Sequence, residues 1–357
     1  MRVHFPFRGN TVGGSHLSAI TLINSLPKIG VQPLVTIHQQ GPVEDLLTKN
    51  NIPFEIINLK FIEAPGGFRA IAQLPRIVAL SNFLKSRSVD IVHANDGAMT
   101  NTWVPAAKLA GKPSLVHIRR VWRPSRISDL LHLQAGHFIA ISEFVKSSFP
   151  EAACDRATVV TNPVVQPDTT KAPKIYDRQT VVMVASHTRQ KRPELFIAAA
   201  ASVVARLPNV RFLLIGRVTE YTDVLRQLVI EAGLNKRFYI AGYTSLVAHK
   251  IAQAALLVAP AVEEGHGRTL IEAMMLNTPV AASRSGGHVE IVQDGINGRL
   301  FEADDPVSMA EVIIEMLSKP DDTTAMTRHA ATFAQNTFTA ESHAQTVTNI
   351  YQRLALG

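Results

Sequence analysis

The stretch Pro260–Phe301, PAVEEGHGRTLIEAMMLNTPVAASRSGGHVEIVQDGINGRLF, holds the features that decide the fold. It follows a short apolar run, Leu256–Ala259, which predicts a buried strand. The loop Glu264–Gly267 is rich in glycine and opens a helix. That helix is expected to end near Asn277, a residue that tolerates the left-handed conformation just beyond a helix. Such a loop presents free backbone N–H groups where it joins the N-terminus of the helix, and these groups suit the binding of a diphosphate.

Two glutamates of this stretch are candidates for ligand binding. Glu264 and Glu272 are eight residues apart, so the first is expected on the loop and the second about one and a half turns into the helix. Each ionised carboxylate accepts strong hydrogen bonds, and the pair therefore suits a ligand rich in hydroxyl groups. The alternative interpretation is that both are ordinary surface carboxylates.

Short apolar runs alternate with helix-period segments along the whole chain. Strands are predicted at Val3–Phe7, Leu34–Ile37, Phe54–Ile57, Ile91–Ala94, Leu115–Ile118, Phe138–Ile141, Val159–Thr161, Val181–Ala185, Arg211–Ile215, Phe238–Ala241, Leu256–Ala259 and Val280–Ala282. Helices are predicted at Ser15–Leu26, Ile71–Lys85, Pro193–Arg206, Tyr221–Ala232 and Arg268–Leu276. This alternation predicts parallel sheets that are covered on both faces.

A break between two such sets lies at Pro163–Arg178, which contains three prolines and no helical period. We expect an N-terminal domain at residues 1–165, a linker at 166–178, a C-terminal domain at 179–335 and a last segment at 336–357. That segment contains an amphipathic helix, Ala340–Leu356, expected to cross back to the N-terminal domain. The predicted fold class is α/β, with two Rossmann-like doubly wound parallel-sheet domains that face each other across a cleft. Ligands bind at such sheet edges.

The composition supports a globular enzyme or binding protein. Of 357 residues, 46% are hydrophobic and 18% are charged, which is enough apolar material for two packed cores. The single cysteine, Cys154, cannot form an internal disulfide, and the N-terminus reads as a strand and not as a signal peptide. The longest apolar run, Leu195–Ala205, is shorter than the roughly 20 residues that span a bilayer. We therefore expect a cytoplasmic protein, at most peripheral on the inner face of the plasma membrane.

The stretch Pro260–Phe301 closely resembles the family-4 glycosyltransferases. Their pattern is E-G-F-G-x-x-x-x-E-A-M, followed by G-x-P-V, G-G and D-G-x-x-G. The matching residues here are Glu264, Gly265, Gly267, Glu272, Ala273, Met274, Pro279, Val280, Gly286, Gly287, Glu290, Asp294, Gly295 and Gly298. Weaker matches extend over nearly the whole chain, at Gly13, Gly14, Asp90–His93, Ser142, Asn162–Pro163, Lys191, Gly216 and Gly242.

The resemblance implies a retaining glycosyltransferase of the two-domain GT-B fold, which uses a nucleotide-sugar donor. Lys191 would offset charge on the donor diphosphate, Glu264 would hold hydroxyl groups of the donor sugar, and Glu272 would hold the ribose. With Lys191 and Glu264 as the catalytic pair, the expected donor-binding residues are Glu272, Gly265, Gly267, Arg268, Thr269, Gly216, Gly13, Gly14 and Arg189. The expected acceptor-side residues are His93, Asn95, Arg119, Arg120 and Arg123. Members of the family need no bound metal, and no metal-ligand spacing occurs in the sequence, so neither a metal nor another cofactor is expected.

Several positions depart from the family pattern. Ala185 and Ser186 stand where an arginine often precedes the lysine, and His266 replaces a phenylalanine. Arg119 replaces a histidine at a strand end, and Asn95 replaces the second histidine of an H-x-H motif. These changes lie on the acceptor side and near the leaving group, so they leave the acceptor undefined.

Positive charge is concentrated in the N-terminal half. Within the net charge of +7, residues 1–180 hold 20 Lys and Arg against 12 Asp and Glu. The densest piece is HIRRVWRPSR, in which Trp122 is surrounded by Arg119, Arg120, Arg123 and Arg126. This piece is expected to face a phosphate-bearing acceptor or an anionic membrane surface, and the alternative is a solvated loop. No nucleic-acid motif accompanies the charge, so nucleic acid is not an expected partner.

Three hypotheses on function follow from these observations. The leading one is sugar transfer from a nucleotide-diphosphate sugar to a glycan or glycolipid acceptor, in cell-envelope polysaccharide or lipopolysaccharide biosynthesis. The second is a catalytically lapsed GT-B fold protein that acts as a nucleotide-sugar-binding or scaffold protein. The third is a nucleotide-sugar epimerase of the same fold, which the spacing of the glutamate pair disfavours.

Overall fold

The computed structural model describes residues 1–62, 73–123, 131–169 and 179–356. The chain forms two compact units. The N-terminal unit comprises Met1–Pro163 and Thr339–Gly357, and the C-terminal unit comprises Val164–Phe338.

In the described part of the N-terminal unit, seven strands form one parallel sheet in the order β3-β2-β1-β4-β5-β6-β7. The strands are β1 (Arg2–Phe7), β2 (Gln32–Ile37), β3 (Phe54–Ile56), β4 (Ile91–Ala94), β5 (Ser114–Ile118), β6 (His137–Ala140) and β7 (Ala157–Val159). The described helices of this unit are α1 (Gly14–Ser25), α2 (Pro42–Lys49), α3 (Leu74–Ser86), α4 (Gly97–Ala110), α5 (Glu143–Lys146), α6 (Glu151–Cys154) and a final helix given below.

The described residues of the C-terminal unit form a six-stranded parallel sheet in the order β10-β9-β8-β11-β12-β13. The strands are β8 (Thr180–Val184), β9 (Arg211–Ile215), β10 (Phe238–Ala241), β11 (Leu256–Ala259), β12 (Val280–Ser283) and β13 (Arg299–Phe301). The helices are α7 (Pro193–Arg206), α8 (Tyr221–Glu231), α9 (Val247–Gln253), α10 (Arg268–Met275), α11 (His288–Ile291), α12 (Pro306–Ser318) and α13 (Pro320–Thr337).

Successive residues of a strand point to opposite faces of a sheet, and the C-terminal core follows this rule. Val181 and Met183 belong to one buried cluster, together with residues of α7 and α12. Val182, which lies between them, belongs to a second cluster with residues of α10 and α13. Both faces of the sheet are therefore covered by helices, which explains why its strands are short apolar runs without polar alternation.

The last helix, α14 (Ala340–Leu356), packs on the N-terminal unit. Tyr351 is completely buried, and its hydroxyl is hydrogen-bonded to Nδ1 of the equally buried His93. His343 donates from Nδ1 to the carbonyl oxygen of Thr161 over 2.8 Å. The rings of His93, His117 and His343 form a stack with centroid separations of 5.5 and 6.0 Å. Polar and apolar contacts together thus attach α14 to β4 and β5.

The two predicted parallel sheets are confirmed, and the predicted strands overlap those observed. The left-handed conformation expected of Asn277 is also present, with φ at 56°. Strand β13 was not predicted, because only three residues follow the Asp294–Gly298 turn before the chain leaves the sheet. Residues 71–72 of a predicted helix and 170–178 of the predicted linker lie outside the described residues. Within the described ranges, no helix is both long and apolar enough to cross a membrane.

Candidate active site

The candidate site lies where the strand order of the C-terminal sheet reverses. Strands β8 and β11 are neighbours at the centre of this sheet, and the chain winds outward in opposite directions from them. Lys191 lies on the loop after β8 and Glu264 on the loop after β11. Because parallel strands end at the same edge, both loops emerge together, and such a reversal point opens a crevice in which ligands bind.

The structure brings the two predicted catalytic residues into direct contact. Nζ of Lys191 donates to Oε2 of Glu264, and the two groups form an ion pair. Their side chains remain 30% and 25% exposed, so a ligand can reach both. The pair joins residues that are 73 positions apart in the chain.

Several charges act on the Glu264 carboxyl. Burial alone would raise the pKa of Glu264, but the charge of Lys191 and its hydrogen bond outweigh this effect, and the pKa is lowered. Burial lowers the pKa of the neighbouring His288 to about 4, against the opposing effect of Glu264. At neutral pH the site therefore contains an ionised carboxylate beside a neutral imidazole.

The Gly286–Gly287 pair explains how the Glu264 loop is held. The backbone N–H of Gly287 donates to the carbonyl oxygen of Glu264 over 2.7 Å. Gly286 has a φ of +57°, and a β-carbon there would lie 2.8 Å from the same carbonyl oxygen. A larger residue would push this backbone away, so the G-G motif serves the close approach of two strand-end loops.

Helix α10 supplies the second glutamate. Nε of Arg268 donates to Oε1 of Glu272 over 2.8 Å, and the two side chains are 24% and 21% exposed. Gly265 and Gly267 are buried in the loop that precedes this helix, and Thr269 is partly exposed in its first turn. The structure thus gathers this part of the predicted donor-binding set around one helix N-terminus.

Two further residues of that set lie beside the loop after β8. Gly216 follows β9, and a β-carbon there would lie only 1.9 Å from the carbonyl oxygen of Ala185. Gly216 therefore permits two loop backbones to touch. Arg189 is exposed, and its guanidinium carbon lies 4.5 Å from the centre of the Tyr221 ring. In this structure Arg189 is engaged with an aromatic side chain of α8.

The predicted glycine loop belongs to the N-terminal unit. Gly13 caps α1, its backbone N–H donates to Nδ1 of His16 over 3.2 Å, and Gly14 is the first helical residue. Both glycines are exposed. This loop follows β1, at the edge where the strand order of the N-terminal sheet reverses between β1 and β4.

Most of the predicted acceptor-side residues are engaged with other side chains. Arg119 donates from Nη1 to Oδ1 of Asn162 and from Nη2 to Oδ1 of Asn95, the latter over 3.1 Å. Nη2 also lies 3.2 Å from Nδ1 of His117. Arg119 and Asn95 are two of the positions that depart from the family pattern, so these departures form one hydrogen-bonded pair. His93 has no exposed surface and supports α14.

The structure corrects the prediction for Trp122 in the arginine-rich segment HIRRVWRPSR. Trp122 is only 7% exposed and packs against Phe138 and Phe149, so it is a core residue and does not contribute an aromatic ring to a basic surface. Arg120 and Arg123 are exposed beside it. Arg126 lies outside the described residues.

The sequence did not single out His288 or its partner. His288 is buried, its Nδ1 lies 3.0 Å from Oγ of Ser283, and that hydroxyl donates to the carbonyl oxygen of Ala261 over 2.6 Å. No spacing rule connects a histidine with a serine at the end of the preceding strand. Across the described ranges, no group of three or more His, Cys, Asp or Glu residues is arranged to hold a metal ion.

Comparison with known sequences shows similarity to glycosyltransferases. Residues 166–333 match the family described as Glycosyl transferases group 1. An uncharacterised glycosyltransferase of Methanocaldococcus jannaschii is 25% identical to this chain, over 99% of this chain and 97% of the relative. The lipopolysaccharide core biosynthesis mannosyltransferase LpcC of Rhizobium leguminosarum is 28% identical, over 46% of this chain and 48% of the relative.

Solved structures share the fold over nearly the full length. HepE of Anabaena, crystallised in complex with UDP-glucose, has a TM-score of 0.84 at 22% identity and covers 99% of this chain and 100% of its own. The lipopolysaccharide outer core galactosyltransferase WaaB has a TM-score of 0.74 at 18% identity, with coverage of 99% and 100%. Residues 166–333 thus match the glycosyl transferases group 1 family, and the chain shares its two-unit fold with GT-B glycosyltransferases.

Proposed function

We propose that this protein is a retaining glycosyltransferase that moves a sugar from a nucleotide-diphosphate sugar to a glycan or glycolipid acceptor. The observation that carries the proposal is the contact between Lys191 and Glu264 at the reversal point of the C-terminal sheet. One cation and one carboxylate, both accessible, meet beside the N-terminus of α10, which is a favourable place for phosphate.

Each group has a role that fits its surroundings. Lys191 faces the donor diphosphate and stabilises the negative charge that grows as the bond to the sugar breaks. Glu264 is ionised, since its pKa is lowered, and accepts hydrogen bonds from hydroxyl groups of the donor sugar. Glu272 accepts from the ribose, and Arg268 orients its carboxylate. In this proposal the backbone N–H groups at the start of α10 and Lys191 supply the positive charge, and no metal ion takes part.

The relatives support the choice of substrates. HepE was crystallised with UDP and with UDP-glucose, which are a nucleotide and a nucleotide sugar of the proposed class. The names of LpcC and WaaB refer to lipopolysaccharide assembly. We therefore propose that the reaction belongs to the biosynthesis of cell-envelope polysaccharide or lipopolysaccharide.

The exposed Arg120 and Arg123 would suit an acceptor that carries phosphate, or an anionic membrane surface. Cosedimentation with anionic vesicles, with and without salt, tests binding to a membrane surface.

A binding protein without turnover is the competing function. Ala185 and Ser186 occupy the positions at which related enzymes often have an arginine near the leaving group. Such a protein would bind a nucleotide sugar and neither hydrolyse nor transfer it.

The direct test of the proposal is a reaction with an identified donor. A thermal-shift screen against UDP-, GDP- and ADP-sugars selects the donor, since a ligand at 100 times its Kd stabilises a protein by about 2.7 kcal/mol. We expect transfer or slow hydrolysis of that donor, with a product whose anomeric configuration, measured by NMR, equals that of the donor. An inverted product would refute the retaining mechanism, and binding without any product would favour the competing function.

Replacement of Lys191 by alanine is expected to lower kcat by about a hundredfold or more, because one electrostatic contact to the leaving group is lost. The melting temperature should change little, since the side chain is partly exposed. Lys319→Ala is a matched control, because Lys319 also pairs with a glutamate, Glu315, over 3.1 Å on the surface of the same unit. If Lys191→Ala and Lys319→Ala have equal, unchanged turnover, Lys191 does not act on the leaving group.

Treatment with EDTA is expected to leave the rate of transfer unchanged, because the proposed phosphate site takes its positive charge from Lys191 and backbone amides. The measurement compares initial rates before and after chelation, with Mg²⁺ and Mn²⁺ added back in separate samples. Activity that disappears with EDTA and returns with either ion would show that a metal holds the diphosphate.

A further inference from the structure

A buried histidine lies four residues before Lys191 on the loop after β8. His187 has no exposed surface. Its backbone N–H donates to the carbonyl oxygen of Arg217 over 3.0 Å, and its own carbonyl oxygen accepts from the hydroxyl of Thr219. Arg217 and Thr219 belong to the loop between β9 and α8. The backbone at His187 is therefore attached on both sides to the neighbouring strand-end loop.

The side chain of His187 adds a third attachment. Its Nδ1 lies 3.0 Å from Oγ1 of Thr222, which is 1% exposed in the first turn of α8. The same hydroxyl oxygen accepts from the backbone N–H of Thr219 over 3.0 Å, so its own proton is available for Nδ1 of a neutral imidazole. We call His187, Thr219 and Thr222 the loop clamp.

Two neighbouring contacts also hold the loop that carries Lys191 against the segment between β9 and α8. The Arg189 guanidinium lies over the ring of Tyr221, which is the residue before Thr222. The absence of a side chain at Gly216 allows the backbone to approach the carbonyl oxygen of Ala185. The segment from Ala185 to Arg189 is thus attached at several points to the segment from Gly216 to Thr222. Lys191 lies two residues after Arg189, in a short 3-10 turn. The backbone N–H of Lys191 donates to the carbonyl oxygen of Thr188 over 2.9 Å.

The simpler interpretation is that His187 has only a structural role, and its burial does favour the neutral form of the ring. Burial lowers the pKa of His187, and Arg226 lowers it further. A residue that only filled space at this position would not need a hydrogen-bonding ring, since an apolar side chain fills a buried site without a polar group to satisfy. Here Nδ1 of the imidazole is directed at Thr222, at the start of the helix that borders the lysine loop.

We propose that His187 and Thr222 are positioning residues for the transfer reaction, which act by fixing the loop that carries Lys191. The inference rests on the proposed function, in which Lys191 stabilises the leaving diphosphate. Reacting groups must be held close to their productive geometry, and a displacement of about 1 Å can cost roughly a hundredfold in rate. A loop of eight residues with one 3-10 turn does not supply such precision by itself, whereas two hydrogen bonds to the adjacent loop and one to α8 do.

The test replaces Thr222 by valine, which has nearly the same shape and no hydroxyl. We expect kcat to fall by about tenfold to a hundredfold, with a smaller change in the KM of the donor. Thr222→Ser restores the hydroxyl and should recover most of kcat. Thr332→Val is the matched control, because its exposed hydroxyl in α13 also forms one hydrogen bond, to the carbonyl oxygen of Arg328 over 3.1 Å.

A double-mutant cycle with Lys191→Ala separates positioning from general stabilisation. If the clamp acts through Lys191, Thr222→Val should cause almost no further loss of kcat in the Lys191→Ala background. An equal loss in both backgrounds, or a wild-type kcat for Thr222→Val, would overturn the inference. Should Thr222→Val not fold, His187→Leu is used in the same cycle, with His187→Asn as the variant that retains a polar atom near Nδ1.

Failure of the proposed function gives a different result. If the wild-type protein transfers no sugar from any donor that it binds, the proposed function fails before the clamp is considered. If the wild type transfers sugar and Lys191→Ala is fully active, the role of Lys191 is refuted and the clamp inference is refuted with it. If Lys191→Ala is impaired and the clamp variants are not, the proposed function stands and the clamp is refuted.

Discussion

The contact between the Lys191 ammonium and the Glu264 carboxylate depends on a property of the sheet and not of either loop. In a doubly wound parallel sheet, the connections that follow the two central strands run in opposite directions. The loops after these strands therefore start side by side at one edge and diverge, which leaves a crevice between them. Residues 73 positions apart in the sequence meet there. The mutual attraction of the two charges holds both side chains at the place where the proposed donor binds, and it keeps the carboxylate ionised despite burial.

The remaining features of the C-terminal unit bring loops together at that edge. Gly216 and Gly286 each occupy a place at which a β-carbon would collide with a carbonyl oxygen of a neighbouring loop. His187 and Thr222 add a hydrogen bond between the loop after β8 and the first turn of α8. The N-terminal unit uses different means. There Arg119 joins Asn95 to Asn162, and buried histidines attach α14.

The fold class could be predicted from the sequence because parallel strands covered on both faces are apolar runs separated by helix-period segments, as at Val181–Ala185 and Pro193–Arg206. The positions of Glu264 on a loop and of Glu272 in the following helix could be predicted from their spacing and from the strand that precedes them. The engagement of Arg119 with Asn95 could not, since it depends on which strands are neighbours. Trp122 was misassigned because arginines on both sides of it suggested an exposed segment, whereas its ring packs into the core beside Phe138 and Phe149. Strand β13 is too short to leave a periodic pattern.

The central claim is that Lys191 contacts the diphosphate of the donor. Residue-level acylation of lysines, read by peptide mass spectrometry, tests this claim most directly, with UDP, GDP and ADP added in turn and binding monitored by calorimetry on the same samples. Lys191 is 30% exposed and Lys319 is 58% exposed, so both can react in the free protein. The nucleotide that binds should slow the acylation of Lys191 and leave that of Lys319 unchanged. A bound nucleoside diphosphate that leaves the acylation of Lys191 unaltered would contradict the account.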